Sequence, residues 1–168
     1  MSAPVAEVWS RRRLVGWALM LAAVVLAADQ ITKWWVVTVL MQPPHVIVLT
    51  SYFDLVMAWN RGVSFGMFHD HADYMPLVLI GVALTIVSAL SVWLVRTRRL
   101  ITALALGSVI GGALGNVVDR VRFGAVADFL YFHYDDWYWP AFNVADSGIT
   151  IGVAVIVIDG LFRQPRSG

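Results

Sequence analysis

Long uncharged runs alternate with short polar segments along this chain, and the runs determine its architecture. Residues 74–95 carry no charge over 22 positions, enough for a helix that spans the roughly 30 Å hydrocarbon core of a bilayer. Residues 100–118 form a second such run, and residues 137–158 form a third that only Asp146 interrupts. Together with the apolar residues 14–28, this pattern predicts four transmembrane helices. We place them at residues 14–33, 74–95, 100–119 and 141–162.

The first apolar run has two interpretations. Arginines at 11–13 precede it and small residues at 26–28 end it, which also fits a cleaved secretory signal peptide. A retained helix instead continues from Asp29 to Lys33, and the tryptophans that follow then lie at the membrane interface, where aromatic residues are enriched. We favour the retained helix, because a polar helix end beside interfacial aromatics suits a functional membrane span. Asp29 and Lys33 are four residues apart and can form an ion pair.

Residues 42–73 follow a different pattern, which predicts strands outside the membrane. Prolines at 43 and 44 stop a helix, and short β-branched and aromatic stretches follow at 45–49 and 52–59. Turn residues separate these stretches, so we predict a small β-hairpin or cradle. Asn60 and Gly62 then begin a glycine-containing loop. The glycine permits close approach of the backbone to a ligand, but for this pattern alone we favour an ordinary turn.

The composition supports a membrane protein with one domain. Hydrophobic residues make up 60% of the chain and charged residues only 14%, and the mean hydropathy is +0.74. Soluble domains usually carry about a quarter charged residues. The chain contains no cysteine, which excludes disulfides, thiolate catalysis and cysteine-ligated zinc. We see no internal repeat or linker, so we predict a single domain over residues 1–168.

The distribution of basic residues predicts the orientation in the membrane. With four spans, eight of the twelve basic residues fall on one side, namely Arg11, Arg12, Arg13, Arg96, Arg98, Arg99, Arg163 and Arg166. The positive-inside rule then predicts that both termini are cytoplasmic. The candidate polar groups gather at the opposite, outer ends of the spans: Asp29, Asn60, Asn116, Asp119, Arg120, Asp128, Asn143 and Asp146. This convergence indicates a site on the external face.

Asp128 and Asp146 suggest the chemistry of this site. Both aspartates adjoin long apolar runs, where a carboxylate is costly and is usually retained for function. Two carboxylates a few ångströms apart split their pKa values, so that one activates water while the other supplies a proton. In the alternative interpretation, Asp128 only pairs with Arg120 or Arg122 and Asp146 only caps the last helix. The spacing of the residues alone favours neither the catalytic pair nor the structural alternative.

Other kinds of site are less consistent with the sequence. A serine or cysteine nucleophile would need a base at the outer face, and none of the histidines at 45, 69, 71 and 133 lies in a nucleophile motif. His69 and His71 flank Asp70 and make a plausible metal-ligand cluster, but loop histidines are more often solvated. We therefore predict no metal. Asn116 and Arg120, like Asn143 and Asp146, have the spacing that puts side chains on one helix face.

Four segments, in order along almost the whole chain, resemble the motifs of a known family. DQITK at 29–33 resembles the first motif of lipoprotein signal peptidase (signal peptidase II), the family of bacterial membrane aspartyl proteases. NRGVSFG at 60–66 resembles the second, with Ser64 where alanine is common. GGALGNVVDRVRFGAVADFL at 111–130 is similar to the third and most specific motif, and FNVADSGI at 142–149 to the fourth.

The resemblance implies roles for individual residues. It implies that Asp128 and Asp146 are the catalytic aspartates, with Asp29 and Lys33 in support. It also implies a set of residues that bind or orient the substrate or the aspartates: Asn60, Gly62, Asn116, Arg120 and Asn143. The family fold implies four transmembrane helices with a small extracytoplasmic β-cradle and a short interfacial helix, in the bacterial cytoplasmic (inner) membrane.

The implied activity is cleavage of prolipoproteins. The resemblance implies a substrate whose lipobox cysteine carries diacylglyceryl, cut on the amino side of that cysteine without a cofactor. We expect a monomer that contacts membrane lipids. No nucleic-acid partner is expected. An alternative function is a small proton-coupled transporter that uses the paired aspartates, although a transporter should carry its ionisable groups near the bilayer midplane. A purely structural helix bundle leaves the one-sided polar cluster unexplained.

Overall fold

The computed structural model describes residues 10–62 and 74–162. Its four long helices are α1 (Arg11–Trp35), α2 (Met75–Arg96), α3 (Leu100–Phe123) and α4 (Val144–Leu161), and a π-helical turn at Val36–Leu40 continues α1. Each of the four is long and apolar enough to cross a membrane. The strands are β1 (Ile47–Thr50), β2 (Phe53–Asn60), β3 (Val126–Tyr134) and β4 (Trp137–Tyr138). The predicted fold class, four membrane-spanning helices with a small sheet, is confirmed.

One predicted element has no counterpart among the described residues, and part of another lies outside them. The described ranges contain no separate short helix that matches the predicted interfacial helix. Residues 63–73, the last part of the predicted β-rich segment, lie outside these ranges, and so do His69 and His71.

Helix α3 forms the centre of the bundle, and small residues let its neighbours approach closely. It packs against α1, α2 and α4 and is buried along most of its length. A Cβ added at Gly107 or Gly111 would collide with the backbone of α1, and one added at Gly112 would collide with the backbone of α4. These glycines therefore let α1 and α4 pack closely against α3, as small residues do in membrane helices.

The four strands form one antiparallel sheet in the order β1-β2-β3-β4. The predicted hairpin corresponds to β1 and β2. The sequence analysis missed β3 and β4, since it predicted strands only within residues 42–73. Helix α3 continues to Phe123, and Gly124 ends it in the left-handed conformation at φ 67°. The chain then enters β3, where Asp128 pairs with Ala58 of β2.

The start of α4 is fixed by its own side chains. Asn143 is the N-cap residue, and its side-chain oxygen accepts the Asp146 N–H at 2.9 Å. The Asp146 carboxylate in turn accepts the Asn143 N–H at 3.2 Å, which completes a capping box. The predicted span at 141–162 therefore begins as a helix only at Val144.

Candidate active site

Asp128 is buried in the sheet and receives two amide hydrogen bonds. Its side chain projects from β3, and the residue is only 2% exposed. Asn60 Nδ2, at the end of β2, donates to Asp128 Oδ2 at 3.0 Å. Asn143 Nδ2 donates to Asp128 Oδ1 at 2.7 Å. Among the described residues, Asp128 is therefore held by two asparagines rather than by an ion pair with Arg120 or Arg122.

Asp146 both caps α4 and belongs to the polar cluster. Besides its place in the capping box, its Oδ1 accepts a hydrogen bond from Asn116 Nδ2 of α3 at 2.8 Å. The residue is only partly buried, whereas Asp128 is almost fully buried. Of the two carboxylates, Asp146 therefore has the better access to water.

Two asparagine side chains connect the aspartates. Asn143 binds Asp128 through its amide nitrogen and the Asp146 N–H through its oxygen. Asn116 Oδ1 accepts from Asn143 Nδ2 at 3.2 Å and from Lys33 Nζ at 3.0 Å. Because an ammonium only donates, Asn116 must turn its oxygen towards Lys33 and its NH₂ towards Asp146. The amide orientations in this bridge are thus determined by their partners.

Gly62 orients Asn60 from the other side of the site. Its backbone N–H donates to Asn60 Oδ1 at 2.8 Å, which leaves the Asn60 NH₂ directed at Asp128. Gly62 has φ 82°, a conformation that favours glycine, and a Cβ there would collide with the side chain of Leu79. The turn that the sequence suggests at this position therefore also serves the polar cluster.

The predicted ion pair between Asp29 and Lys33 is confirmed, with 2.8 Å between Lys33 Nζ and Asp29 Oδ2. Lys33 also pairs with Asp119 at 2.9 Å. Gln30 Nε2 donates to both carboxylates, at 3.1 Å to Asp29 and 2.9 Å to Asp119. The sequence analysis counted Asp119 among the polar groups at one end of the spans but gave it no role, and it gave Gln30 none either.

Arg120 supplies positive charge beside both aspartates. Its guanidinium interacts electrostatically with Asp146, Asp128 and Asp119. Its Nη1 approaches the backbone oxygen of Asn116 at 3.4 Å, and its Nε is buried without a hydrogen-bond partner among the described residues. All nine residues singled out in the sequence thus meet in one cluster: Asp29, Lys33, Asn60, Gly62, Asn116, Arg120, Asp128, Asn143 and Asp146.

An apolar cavity of about 220 Å³ opens next to this cluster. Its walls are mostly aliphatic side chains of α2, α3 and α4, and Asn116 and Arg120 contribute its polar lining. The cavity therefore joins a hydrocarbon-like surface to the polar groups around the aspartates. Within residues 10–62 and 74–162, no three or more His, Asp or Glu side chains group together as metal ligands.

Burial raises the pKa of Asp128 to about 6, from 3.8 for an ordinary aspartate. Removal from water is the largest cause, because it disfavours the charged form. The like charge of Asp146 raises the pKa further, while hydrogen bonds from Asn60 and Asn143 and the positive charge of Lys33 lower it. Asp128 therefore holds its proton in mildly acidic solution and loses it as the pH rises through about 6.

We predict that the carboxyl carbon of Asp128, followed by NMR in detergent-solubilised protein, titrates near pH 6. Asp146→Asn should lower this pKa, because it removes a neighbouring like charge. Asn60→Ala should raise it, because it removes a hydrogen bond to the ionised form. Asp136→Asn, in the exposed turn between β3 and β4, is the matched control and should leave the titration unchanged. Titration of Asp128 at or below the ordinary aspartate value would contradict the prediction.

Comparisons with known proteins agree with this geometry. The family model for signal peptidase (SPase) II matches residues 21–162. A lipoprotein signal peptidase of Azoarcus sp. (strain BH72) is 45% identical over 156 residues, which cover 89% of this chain and 83% of that protein. The lipoprotein signal peptidase of Methylobacterium sp. (strain 4-46) is 41% identical over 149 residues, 88% of this chain and 90% of that protein.

A solved structure of similar fold supports the same conclusion. It is a bacterial membrane enzyme determined by the in meso method at 2.3 Å resolution, and it covers 91% of this chain and 92% of its own. The two sequences are 28% identical, and the two structures superpose with a TM-score of 0.77. The helices, the sheet and the matched family model together identify a multi-pass membrane protein. The chain belongs to the signal peptidase II family and is an aspartic-type membrane peptidase.

Proposed function

We propose that Asp128 and Asp146 form the catalytic pair of an endopeptidase that removes signal peptides from lipoprotein precursors. The substrate is a prolipoprotein whose lipobox cysteine carries diacylglyceryl, and the cut falls on the amino side of that cysteine. The observation that carries the proposal is the bridge through Asn143, which contacts Asp128 by its side chain and Asp146 by the capping box. Membership of the signal peptidase II family supports the same activity.

The environments of the two aspartates suggest separate roles. Burial keeps a proton on Asp128 up to about pH 6, so we assign it as the acid that hydrogen-bonds to the scissile carbonyl oxygen. Asp146, which is more exposed, takes a proton from the attacking water. The water oxygen bonds to the carbonyl carbon, and a proton then passes to the departing cysteine nitrogen as the C–N bond breaks. The products are a signal peptide with a free carboxylate and a lipoprotein with a free amino group.

Orienting residues complete the proposed site. Asn116 and Asn143 hold the two carboxylates by hydrogen bonds, and Asn60 binds Oδ2 of Asp128. The positive charge of Arg120 stabilises the negative charge that develops as water adds to the carbonyl. These roles depend on preorganised donors, since the groups are already bonded to one another without substrate.

The cavity beside the site supports a lipid-modified substrate. Its aliphatic walls on α2, α3 and α4 suit hydrocarbon chains, and its polar side adjoins the aspartates through Asn116 and Arg120. Burial of each CH₂ group contributes about 0.8 kcal/mol. The diacylglyceryl group and the signal-peptide helix thereby hold the scissile bond at the proposed dyad. The transporter alternative has no support, because the matched family and the named relatives are peptidases.

We further infer that the site faces the outside of the bacterial inner membrane, with both termini in the cytoplasm. The basic loop between α2 and α3, at residues 97–99, and the arginines that precede and follow the helices support this orientation. The proposed catalytic and orienting groups come from one chain, which supports a single-domain monomer as the working unit. Light scattering of the purified protein in detergent should then give the mass of one copy.

Single cysteines test the orientation, because the natural chain has none. A cysteine in place of Asp136, in the turn between β3 and β4, should react with a membrane-impermeant maleimide in spheroplasts. A cysteine in place of Arg98, between α2 and α3, should react only after the membrane is opened. Both side chains are exposed, so access depends on the side of the membrane. The reverse pattern would refute the orientation.

Replacement of either proposed catalytic aspartate by asparagine tests the mechanism. Asp128→Asn and Asp146→Asn keep the shape of the side chain but cannot exchange a proton, so each should slow cleavage of a lipidated precursor by about 10³-fold or more. Each variant should still insert into the membrane and bind substrate. Asp136→Asn is the matched control and should cleave at the normal rate. Substantial turnover by either variant, in correctly folded protein, would rule out the aspartyl mechanism.

The dependence on lipid is measured with two forms of one precursor. A precursor whose lipobox cysteine carries diacylglyceryl should be cleaved far faster than the same precursor with an unmodified cysteine, since only the former buries acyl chains in the cavity. The comparison is made in detergent with the purified full-length protein, and kcat/KM is the quantity compared. Equal values for the two precursors would remove lipid burial from the mechanism while leaving the aspartate pair intact.

A further inference from the structure

A buried cluster of charges lies between α1 and α3, next to the proposed dyad. The ammonium of Lys33 donates to Asp29 at 2.8 Å, to Asp119 at 2.9 Å and to Asn116 at 3.0 Å. The Lys33 side chain is 5% exposed, and those of the two aspartates are 0% and 1% exposed. An ammonium has three N–H donors. The three acceptors use all of them, so Lys33 has no donor left for a substrate.

The two carboxylates of this cluster bind the backbone at equivalent positions. Asp119 Oδ2 accepts the N–H of Ala127 at 3.1 Å, and Asp29 Oδ1 accepts the N–H of Ala145 at 2.9 Å. Each of these alanines immediately precedes one of the two proposed catalytic aspartates, and in both places the local sequence is Val-Ala-Asp. The Lys33 ammonium therefore binds two carboxylates, and each of them binds the backbone N–H that precedes one of the proposed catalytic aspartates.

A second set of contacts joins β3, which carries Asp128, to the residues just before α4, which carries Asp146. Backbone hydrogen bonds join Phe142 to Phe129 and Leu130, so the residues just before α4 are attached to β3. In β3, these bonds are made by residues that follow Asp128 in the sequence. The Lys33 cluster holds the opposite side, before Asp128, and attaches both segments to the rigid pair of helices α1 and α3. Two connections on opposite sides of a catalytic residue fix its position better than one.

We propose that Lys33 sets the separation of the two catalytic aspartates, with Asp119 positioning Asp128 and Asp29 positioning Asp146. This inference rests on the proposed function, and it assigns these three side chains a positioning role without contact to substrate. Without the ammonium, two buried carboxylates would repel each other and move apart. The two alanine N–H groups would move with them. A displacement of about 1 Å at a catalytic group can slow a reaction about 10²-fold.

Selective labelling tests the three contacts separately. Carbonyl-¹³C valine combined with ¹⁵N alanine gives amide signals only from Val-Ala pairs, which are the pairs ending at Ala6, Ala83, Ala127, Ala145 and Ala154. In the full-length protein in detergent, Asp119→Asn should shift the Ala127 signal alone. Asp29→Asn should shift the Ala145 signal alone, and Lys33→Met should shift both. The signals of Ala83 in α2 and Ala154 in α4 serve as internal controls for folding.

Kinetics of the same variants separate positioning from substrate binding. Lys33→Met should lower kcat about 10²-fold and leave KM within a few-fold, because it disturbs the aspartates without touching substrate. Unchanged alanine signals or an unchanged kcat in Lys33→Met would overturn the inference, and so would a change confined to KM. If the control signals show that Lys33→Met is misfolded, Asp119→Asn and Asp29→Asn provide the test. Asp119→Asn must then shift only the Ala127 signal, and Asp29→Asn only the Ala145 signal.

Asp128→Asn separates this inference from the proposed function. It leaves the Lys33 cluster intact, so the Ala145 signal, which Lys33→Met should shift, should match that of the natural protein although the variant does not cleave. Failure of the alanine signals to follow the three variants refutes the positioning role and leaves the aspartate pair standing. Normal cleavage by Asp128→Asn refutes the catalytic role instead, whatever the alanine signals do.

Discussion

Carboxylates held away from water must find hydrogen-bond donors inside the protein, and this requirement connects nearly every element of the structure. Asp29, Asp119 and Asp128 are each at most 2% exposed. A buried charge without partners costs several kcal/mol. The donors are side-chain amides, one ammonium and backbone N–H groups, and they come from α1, β2, β3, and α4 with its N-cap, while α3 carries Asp119 itself. The helices and the sheet are therefore held together at the site itself.

Close packing of the apolar parts of the helices makes this polar cluster possible. Glycines on the faces of α3 let the backbones of α1 and α4 approach it. Nearer the polar cluster on the same face, a Cβ on Gly115 would lie 2.6 Å from an oxygen of Asp29. The small residues thus bring carboxylates and their donors within hydrogen-bonding distance. The apolar surface that remains, between α2, α3 and α4, ends at Asn116 and Arg120 of the polar cluster.

Much of this arrangement could be predicted from the sequence, because local spacing carries it. Uncharged runs predicted the helices, and spacings of three and four residues predicted the Asp29–Lys33 pair and the shared face of Asn143 and Asp146. Strand β3 could not be predicted in this way. Only Gly124 and Ala125 separate it from α3, and its pairing with β2 depends on residues about 70 positions earlier. The contact of Asp119 with Ala127 depends on the same turn, so spacing within α3 gave no sign of it.

Whether Asp128 and Asp146 act as one unit can be measured directly by combining the two asparagine substitutions. Groups that share one proton-transfer step lose their function together, so the second substitution should add little to the first. We expect the double variant to cleave a diacylglyceryl-modified precursor at nearly the residual rate of Asp128→Asn or Asp146→Asn alone. A double variant slower than either single variant by a further large factor, with losses that multiply, would mean that the two carboxylates contribute independently and would contradict the shared mechanism.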